Sequence, residues 1–93
     1  MWIIEKDHTA DPKVKAPSNM NAAGMMGPRD CKPETELANC THRFRMYDDD
    51  GEIYYEGRST EKDFAPLDDF GRPNAGAVWI EYWNSKKHEW EVL

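Results

Sequence analysis

The fold is decided by one stretch, His42–Arg58, which reads HRFRMYDDDGEIYYEGR. Apolar and polar residues alternate on both sides of the dipeptide Asp50-Gly51. This pattern is typical of a β-hairpin, because Asp and Gly tolerate the positive φ angles that a two-residue turn between twisted strands requires. The stretch therefore predicts two antiparallel strands joined at Asp50-Gly51.

The register of this hairpin follows from the alternation. A two-residue loop places four apolar side chains on one face, namely Phe44, Met46, Ile53 and Tyr55. On the other face Arg45 lies opposite Glu56, and Tyr47 lies opposite Tyr54. A three-residue loop sets Phe44 opposite Glu56 and mixes polar with apolar residues on both faces. The two-residue loop is therefore predicted.

The end of the chain, residues 77–93, reads AVWIEYWNSKKHEWEVL and predicts a second hairpin. A five-residue loop at 84–88, or a three-residue loop within it, gathers apolar residues on one face. These residues are Val78, Ile80, Tyr82, Trp90 and Val92. A four-residue loop sets Ile80 against Glu91, and we reject it for that reason. The predicted register turns a second set outward: Trp79, Glu81, Trp83, Glu89, Glu91 and Leu93.

The remaining segments complete a mainly β fold in a single domain, residues 1–93. Trp2-Ile3-Ile4 predicts an N-terminal edge strand, and residues 33–39 predict one short helix that begins at a proline. Residues 7–33 and 59–76 are rich in Pro and Gly and are predicted to be long loops. The architecture is a small antiparallel sheet of about five strands, two hairpins plus the edge strand, curled toward a partly open barrel or roll.

Charge and hydropathy narrow the classes of partner. Acidic residues outnumber basic ones 18 to 12, and the net charge of -6 disfavours direct binding of nucleic acid, whose affinity comes mainly from Lys and Arg. No apolar run is long enough to cross a membrane, and the N-terminal residues lack the apolar core of a secretion signal. We therefore expect a cytoplasmic protein with no membrane partner, in which Cys31 and Cys40 are free thiols.

Cys31, Cys40 and His42 are the candidate metal ligands, with His8 or His88 as a fourth. Structural zinc sites place ligands in pairs two to four residues apart, and the separation of the two cysteines does not fit. We predict no metal, no cofactor, no catalytic residue and no enzymatic activity. The alternative, a small metal-binding or enzymatic protein that uses these three residues, stays open.

The acidic run from Asp48 to Glu52 invites comparison with calcium loops. Such loops need oxygen ligands at alternate positions, a Gly at the sixth position and a Glu at the twelfth, between two helices. That frame is absent from this sequence. The run is predicted to be a solvated acidic turn.

Four longer sequence segments carry a family resemblance: YDDDGEIYYEGR, FAPLDDFGRPNAGA, WIIEKDH and AVWIEYW. With them the chain resembles a set of small hypothetical proteins of bacteria and their mobile elements. The resemblance implies a bacterial or phage source and a self-contained domain, with no established activity and no catalytic residue. Small size and acidity are also the profile of inhibitors of host defence, which suggests the anti-CRISPR or anti-restriction type by analogy alone.

The predicted outer face of the second hairpin supplies the binding hypothesis. Its candidate binding residues are Trp79, Glu81, Trp83, Glu89 and Glu91, because aromatic rings flanked by carboxylates form a receptor for Arg or Lys. The function expected is a non-enzymatic protein-interaction module that binds a basic or Arg-rich surface of a host protein as an inhibitor. The alternative is that another segment covers this face as a second core layer. The chain is expected to be a monomer or a homodimer paired through its N-terminal edge strand.

Overall fold

The computed structural model describes residues 1–9, 19–21, 23–29 and 31–93. Within these residues the fold is mainly β, as predicted, and all strands pair antiparallel in one sheet in the order β2-β3-β1-β5-β4-β6-β7. The strands are β1 (Trp2–Asp7), β2 (Asn19–Met20), β3 (Met26–Gly27), β4 (His42–Tyr47), β5 (Ile53–Ser59), β6 (Trp79–Asn84) and β7 (Glu89–Val92). β2 and β7 lie at opposite ends of this order, so the sheet is open rather than closed into a barrel.

The N-terminal strand is not the edge strand that the sequence predicted. β1 pairs with β5 along its length, and Ile4 also pairs with Met26 of β3 on its other side. Its three apolar residues, Trp2, Ile3 and Ile4, are all buried. Because β1 is covered on both sides near Ile4, dimerisation through Trp2-Ile3-Ile4 has no free strand to use. The long strand at the edge of the described sheet is β7.

The first hairpin combines a confirmed register with a different turn. Arg45 lies opposite Glu56 and Met46 opposite Tyr55, as predicted, but Tyr47 lies opposite Ile53 rather than Tyr54. The turn has three residues and is closed by the Asp48 N–H, which donates to the Glu52 carbonyl at 2.9 Å. A one-residue bulge in the strand pair absorbs the extra loop residue, so Phe44, Met46 and Tyr55 stay together on the core face. The prediction for Ile53 is wrong, because Ile53 pairs with Tyr47 on the other face of the sheet.

Side-chain and backbone chemistry at the turn explains this choice. The Asp48 Oδ1 accepts hydrogen bonds from the backbone N–H groups of Asp50 at 2.9 Å and Glu52 at 2.8 Å. Gly51 has a φ of 84°, the left-handed conformation that a three-residue hairpin loop requires at its last position. The dipeptide Asp50-Gly51 thus marks the hairpin correctly but does not set its loop length.

The predicted register of the second hairpin is wrong. Trp83 pairs with Trp90 and Glu81 with Val92, around a four-residue loop at 85–88. The hydrogen bonds of the turn, rather than the pattern of apolar residues, determine this register. The Asn84 Oδ1 accepts the backbone N–H groups of Lys86 at 3.0 Å and Lys87 at 3.1 Å, and His88 adopts a φ of 52°.

The segment 59–76 is helical over much of its length, where the sequence predicted a loop. Leu67–Gly71 forms one turn of π-helix and Arg72–Ala75 forms helix α2. The helix predicted at 33–39 is present as α1, Pro33–Glu36, followed by a 3-10 turn, Leu37–Asn39. The described residues therefore form two short α-helices rather than one. Pro66 is compatible with the helical segment because it stands at its start, where no N–H is required.

The core lies between one face of the sheet and this helical segment. Leu67 and Phe70 are buried on the sheet, and the Phe70 ring lies 4.9 Å from Tyr55 and 5.4 Å from Trp2. The Tyr82 hydroxyl fixes the preceding chain by donating to the Asp63 carbonyl at 2.7 Å. The buried cluster comprises Trp2, Ile4, Met26, Phe44, Met46, Tyr55, Leu67, Phe70, Ala77, Ile80 and Tyr82.

The second face of the sheet is covered only in part. Ile3 packs there with Cys31 and Cys40, and Met25 and Leu37 border this small cluster. Residues 10–18, 22 and 30 of the predicted loop 7–33 lie outside the described residues. Over β4 to β7 the side chains of this face are half-buried or exposed. The fold therefore presents a broad sheet surface to solvent.

Candidate functional site

We call the uncovered side of strands β4, β5, β6 and β7 the open face. Its side chains are Arg43, Arg45, Tyr47, Glu56, Arg58, Trp79, Glu81, Trp83, Trp90 and Val92. The open face contains three of the five predicted binding residues, Trp79, Glu81 and Trp83. It also contains Trp90, which the sequence assigned to the core side.

The other two predicted binding residues, Glu89 and Glu91, lie on the opposite side of the sheet. Each of them pairs across the ladder with a residue of that side, Glu89 with Asn84 and Glu91 with Tyr82. The Glu91 carboxylate accepts a hydrogen bond from the Asn84 amide at 2.9 Å and lies 3.7 Å from the Lys87 ammonium. The predicted register would set Glu81 opposite Glu91, whereas the observed register pairs Glu81 with Val92. Glu89 and Glu91 therefore cannot share a binding surface with the tryptophans.

The tryptophans of the second hairpin already bind arginines of the same chain. Trp83 and Trp90 lie 5.4 Å apart between ring centroids. The Arg45 guanidinium carbon lies 4.0 Å from the Trp90 centroid, and that of Arg43 lies 5.5 Å from Trp90 and 6.0 Å from Trp83. These distances are within the range of cation–π attraction. Sequence reasoning missed these contacts because it placed Trp90 on the other side of the sheet.

Ion pairs balance the charges in the middle of the open face. The Arg45 Nε lies 3.3 Å from one oxygen of Glu56, and the His8 Nε2 lies 2.7 Å from the other. Burial raises the pKa of Glu56, but the hydrogen bonds and charges of His8 and Arg45 outweigh it and bring that pKa below its usual value. Arg58 makes a similar pair with Glu5 at 3.0 Å. The centre of the face is therefore close to neutral.

One end of the open face is aromatic and acidic. The Tyr47 and Trp79 rings stack with centroids 5.4 Å apart and an angle of 19° between their planes. Glu81 follows two residues after Trp79 on the same side, and no basic side chain of the described residues lies within 4.0 Å of its carboxylate. Burial raises the pKa of the Tyr47 hydroxyl, and its hydrogen bond with Glu81 raises this pKa further, whereas a hydrogen bond with Arg45 lowers it. The acidic turn Asp48–Glu52 begins directly after Tyr47.

We call Tyr47, Trp79, Glu81 and the turn Asp48–Glu52 together the acidic end. The Trp79 indole N–H is buried and has no hydrogen-bond acceptor among the described residues. The ring is thus held by its stacking on Tyr47 rather than by a hydrogen bond. In the acidic turn the side chains of Asp49 and Asp50 are exposed. The acidic end therefore offers to an incoming cation both aromatic surface and carboxylates that form no ion pair with a basic side chain of the described residues.

The structure does not assemble Cys31, Cys40 and His42 into a three-ligand metal site. Both cysteines are buried and form no disulfide, and burial raises the pKa of each thiol. Among the described residues, the one set of three ligand atoms close enough to share an ion belongs to Asp48, Asp49 and Asp50. One oxygen of Asp48 already accepts two backbone hydrogen bonds, so this set is explained by the turn itself.

Comparison with known proteins adds no relative. No protein-family model matches the chain, and no curated protein and no solved structure is significantly similar to it. None of the helices in the described part of the chain has the length and apolar character that crossing a bilayer requires. What this protein does is therefore inferred from its own side chains.

Proposed function

We propose that this protein is a non-enzymatic protein-interaction module that binds a basic, Arg-rich surface of a host protein through the acidic end. The observation that carries the proposal is the stacked pair Tyr47–Trp79, which is half-buried and lies beside Glu81 and the turn Asp48–Glu52. The Glu81 side chain is hydrogen-bonded to that of Tyr47 and forms no ion pair with a basic side chain of the described residues. Aromatic side chains that are partly exposed next to charges of one sign are typical anchors of protein interfaces.

The open face itself shows how an arginine would be held. The Arg45 guanidinium lies over the Trp90 ring and pairs with Glu56, so one guanidinium contacts an indole ring and a carboxylate together. The acidic end offers the same two elements, Trp79 and Glu81. Arg45, the cross-strand neighbour of Glu81, forms its ion pair with Glu56 instead, and no basic side chain of the described residues lies within 4.0 Å of the Glu81 carboxylate. A cation–π contact there is expected to contribute about 0.5–2 kcal/mol, depending on how far it is desolvated. Arg is preferred to Lys because its planar group both stacks and forms paired hydrogen bonds.

The proposal keeps two members of the predicted binding set, Trp79 and Glu81. Trp83 lies at the other end of the open face, where it contacts Trp90 and Arg43, and Glu89 and Glu91 face the other side of the sheet. Inhibition of a host protein, of the anti-CRISPR or anti-restriction type, remains part of the proposal by analogy of size and charge. A cytoplasmic location belongs to it as well, since thiols that form no disulfide are typical of a reducing compartment.

A nona-arginine peptide is a suitable probe, with binding followed by tryptophan fluorescence at an ionic strength of about 0.1 M, where the Debye length is about 10 Å. Asp49→Asn/Asp50→Asn removes two charges from the acidic end, and Glu34→Gln/Glu36→Gln removes two charges from helix α1 as a matched control. We expect the first pair to weaken binding at least roughly fivefold and the control to change it less than about twofold, because surface charges act mainly within a Debye length. Equal weakening by both pairs would show that only net charge matters.

Glu81→Gln tests the geometry rather than the charge of the turn. It should weaken nona-arginine binding more than Glu34→Gln does, and it should reduce the preference for nona-arginine over nona-lysine. The preference is expected because a planar guanidinium can stack on Trp79 while its N–H groups reach Glu81. If the wild-type chain binds the two peptides equally well, the proposed stacking site is refuted. Capture of a host protein that is released by nona-arginine but not by nona-lysine would then identify the partner.

A further inference from the structure

A second groove lies at the other end of the same sheet. β4 begins there, β6 ends there, and the chain that follows β5 passes alongside. The groove has a volume of about 480 Å³ and is lined by Thr41, His42, Arg43, Lys62, Trp83, Asn84, Ser85 and Lys86. We call it the basic groove. It is large enough for a small ligand, since ligand sites in proteins are commonly about 300–1,000 Å³.

The charges of the basic groove oppose those of the whole protein. The chain has a net charge of -6, yet no Asp or Glu is among the described residues that line this groove. Its cations Arg43, Lys62 and Lys86 have no carboxylate of the described residues within 4.0 Å. Three cations around one concave surface repel one another, and an anion that enters the groove relieves this repulsion.

We propose that the basic groove binds the oligophosphate group of a small molecule. A guanidinium and two ammonium groups can share the charge of a diphosphate, Arg43 through paired N–H groups and the lysines as point charges. The hydroxyl groups of Thr41 and Ser85, which line the same groove, supply neutral hydrogen-bond donors. An isolated carboxylate would satisfy one of these cations, whereas an oligophosphate can engage all of them.

Trp83 forms the aromatic part of the groove. Its ring lies 5.4 Å from Trp90 and 6.2 Å from His88 between centroids, so neighbouring rings hold it in place. A ligand that carries a flat ring, such as a nucleotide, would gain stacking energy on Trp83, while inorganic oligophosphate would not. The phosphate chemistry is common to both sources, and the ring distinguishes them.

The test is titration of the full chain with pyrophosphate and with ADP at constant ionic strength, followed by calorimetry and by tryptophan fluorescence. Lys62→Gln/Lys86→Gln removes two cations from the groove. Lys6→Gln/Lys32→Gln removes two exposed lysines from other sites as a matched control. We expect the groove variant to weaken binding at least roughly tenfold and the control less than about twofold. Far-UV circular dichroism checks that every variant folds.

Two results overturn the proposal: neither probe binds the wild-type chain below about 1 mM, or the groove variant and the control lose equal affinity. Tighter binding of ADP than of pyrophosphate, lost in Trp83→Leu, identifies a ring-bearing ligand. Equal affinity for the two probes identifies a ringless oligophosphate. Asp49→Asn/Asp50→Asn should leave both affinities within about twofold, because the acidic end lies more than a Debye length away. Failure of the phosphate-binding proposal would therefore leave the proposed protein-binding site untouched, and the reverse also holds.

Discussion

Substitution of Gly57 by Ala adds a single methyl group and should destabilise the fold strongly. It lies in β5 between Phe44 of β4 and Ile4 of β1. A Cβ atom added at this position would lie 2.0 Å from the Ile3 carbonyl oxygen and 2.8 Å from the Phe44 ring. Real Cβ contacts below 3.0 Å are essentially never observed, and the first of these partners is backbone. Gly57→Ala therefore forces β1 and β5 apart.

The magnitude follows from the displacement required. To restore an ordinary contact the Ile3 carbonyl must move by about 1 Å or more. This movement stretches the neighbouring hydrogen bonds between β1 and β5 beyond about 3.5 Å, a distance at which they are broken. Losing two of them costs roughly 1–3 kcal/mol, and repacking Phe44 adds roughly 1–3 kcal/mol. The sum, about 2–6 kcal/mol, is a large part of the roughly 5–14 kcal/mol expected for a domain of this size.

Urea unfolding, followed by tryptophan fluorescence and far-UV circular dichroism, measures this loss. Gly51→Ala is the matched control, because the added methyl has no atom within 4 Å and meets only the strain of a φ of 84°. That strain is expected to cost about 1 kcal/mol. Gly57→Ala should therefore lower the free energy of unfolding by about 1–5 kcal/mol more than Gly51→Ala does. If the two substitutions cost the same, β1 and β5 do not approach as closely at Gly57 as described.

Three further predictions concern buried polar groups. Trp79→Phe should change the free energy of unfolding by less than about 1 kcal/mol, since the indole N–H has no acceptor. Trp2→Phe, which loses the hydrogen bond to Asp69, should cost more in the same urea assay, and the reverse order would contradict the described contacts. The pKa of Glu56 is lower in the folded chain than in the unfolded chain, where it is about 4.3. Ionised Glu56 therefore stabilises the fold above about pH 4.3, and this stabilisation is lost as the pH falls through the pKa of the folded state. Urea midpoints at pH 6 and pH 3 should therefore differ less in Glu56→Gln than in the wild type, and equal differences would refute this. Burial raises the pKa of Tyr82 to about 12 in the folded chain, against about 10 in the unfolded chain. The neutral Tyr82 hydroxyl therefore stabilises the fold fully below about pH 10, and this stabilisation is lost as the pH rises toward 12. Tyr82→Phe should reduce the loss of stability between pH 9 and pH 11, whereas an unchanged loss would mean that Tyr82 does not contribute to it.

Patterning predicted the strands well and the turns poorly, for a physical reason. Alternation records which residues of one strand share a face, and it correctly placed Phe44, Met46 and Tyr55 together and Arg45 opposite Glu56. It contains no information on whether a bulge absorbs a residue between paired strands. The hydrogen bonds of Asp48 decide that point, and they depend on three-dimensional turn geometry.

The candidate site was harder to predict because one register decides all of it. A shift of one residue moves every side chain of a strand to the other face. Trp90 therefore joined the open face, and Glu91 left it. A signal was present in Asn84, whose side chain favours a tight turn directly after it, and counting from Asn84 rather than from the apolar residues would have given the observed pairing. The basic groove had no comparable signal, since Lys62 is distant in sequence from Arg43 and Lys86.

The sheet separates two regions of opposite charge that a net charge of -6 conceals. The antiparallel topology brings the start of β4 to one end and the turn Asp48–Glu52 to the other, about 17 Å away along the length of β4. Between them Arg45 and Glu56 neutralise each other. At physiological ionic strength charges are screened over about 8 Å, so a cation at the acidic end and an anion in the basic groove act on each other weakly. Substitutions at the two ends should therefore have additive effects, and a single partner could engage both only by spanning the neutral, aromatic centre of the open face.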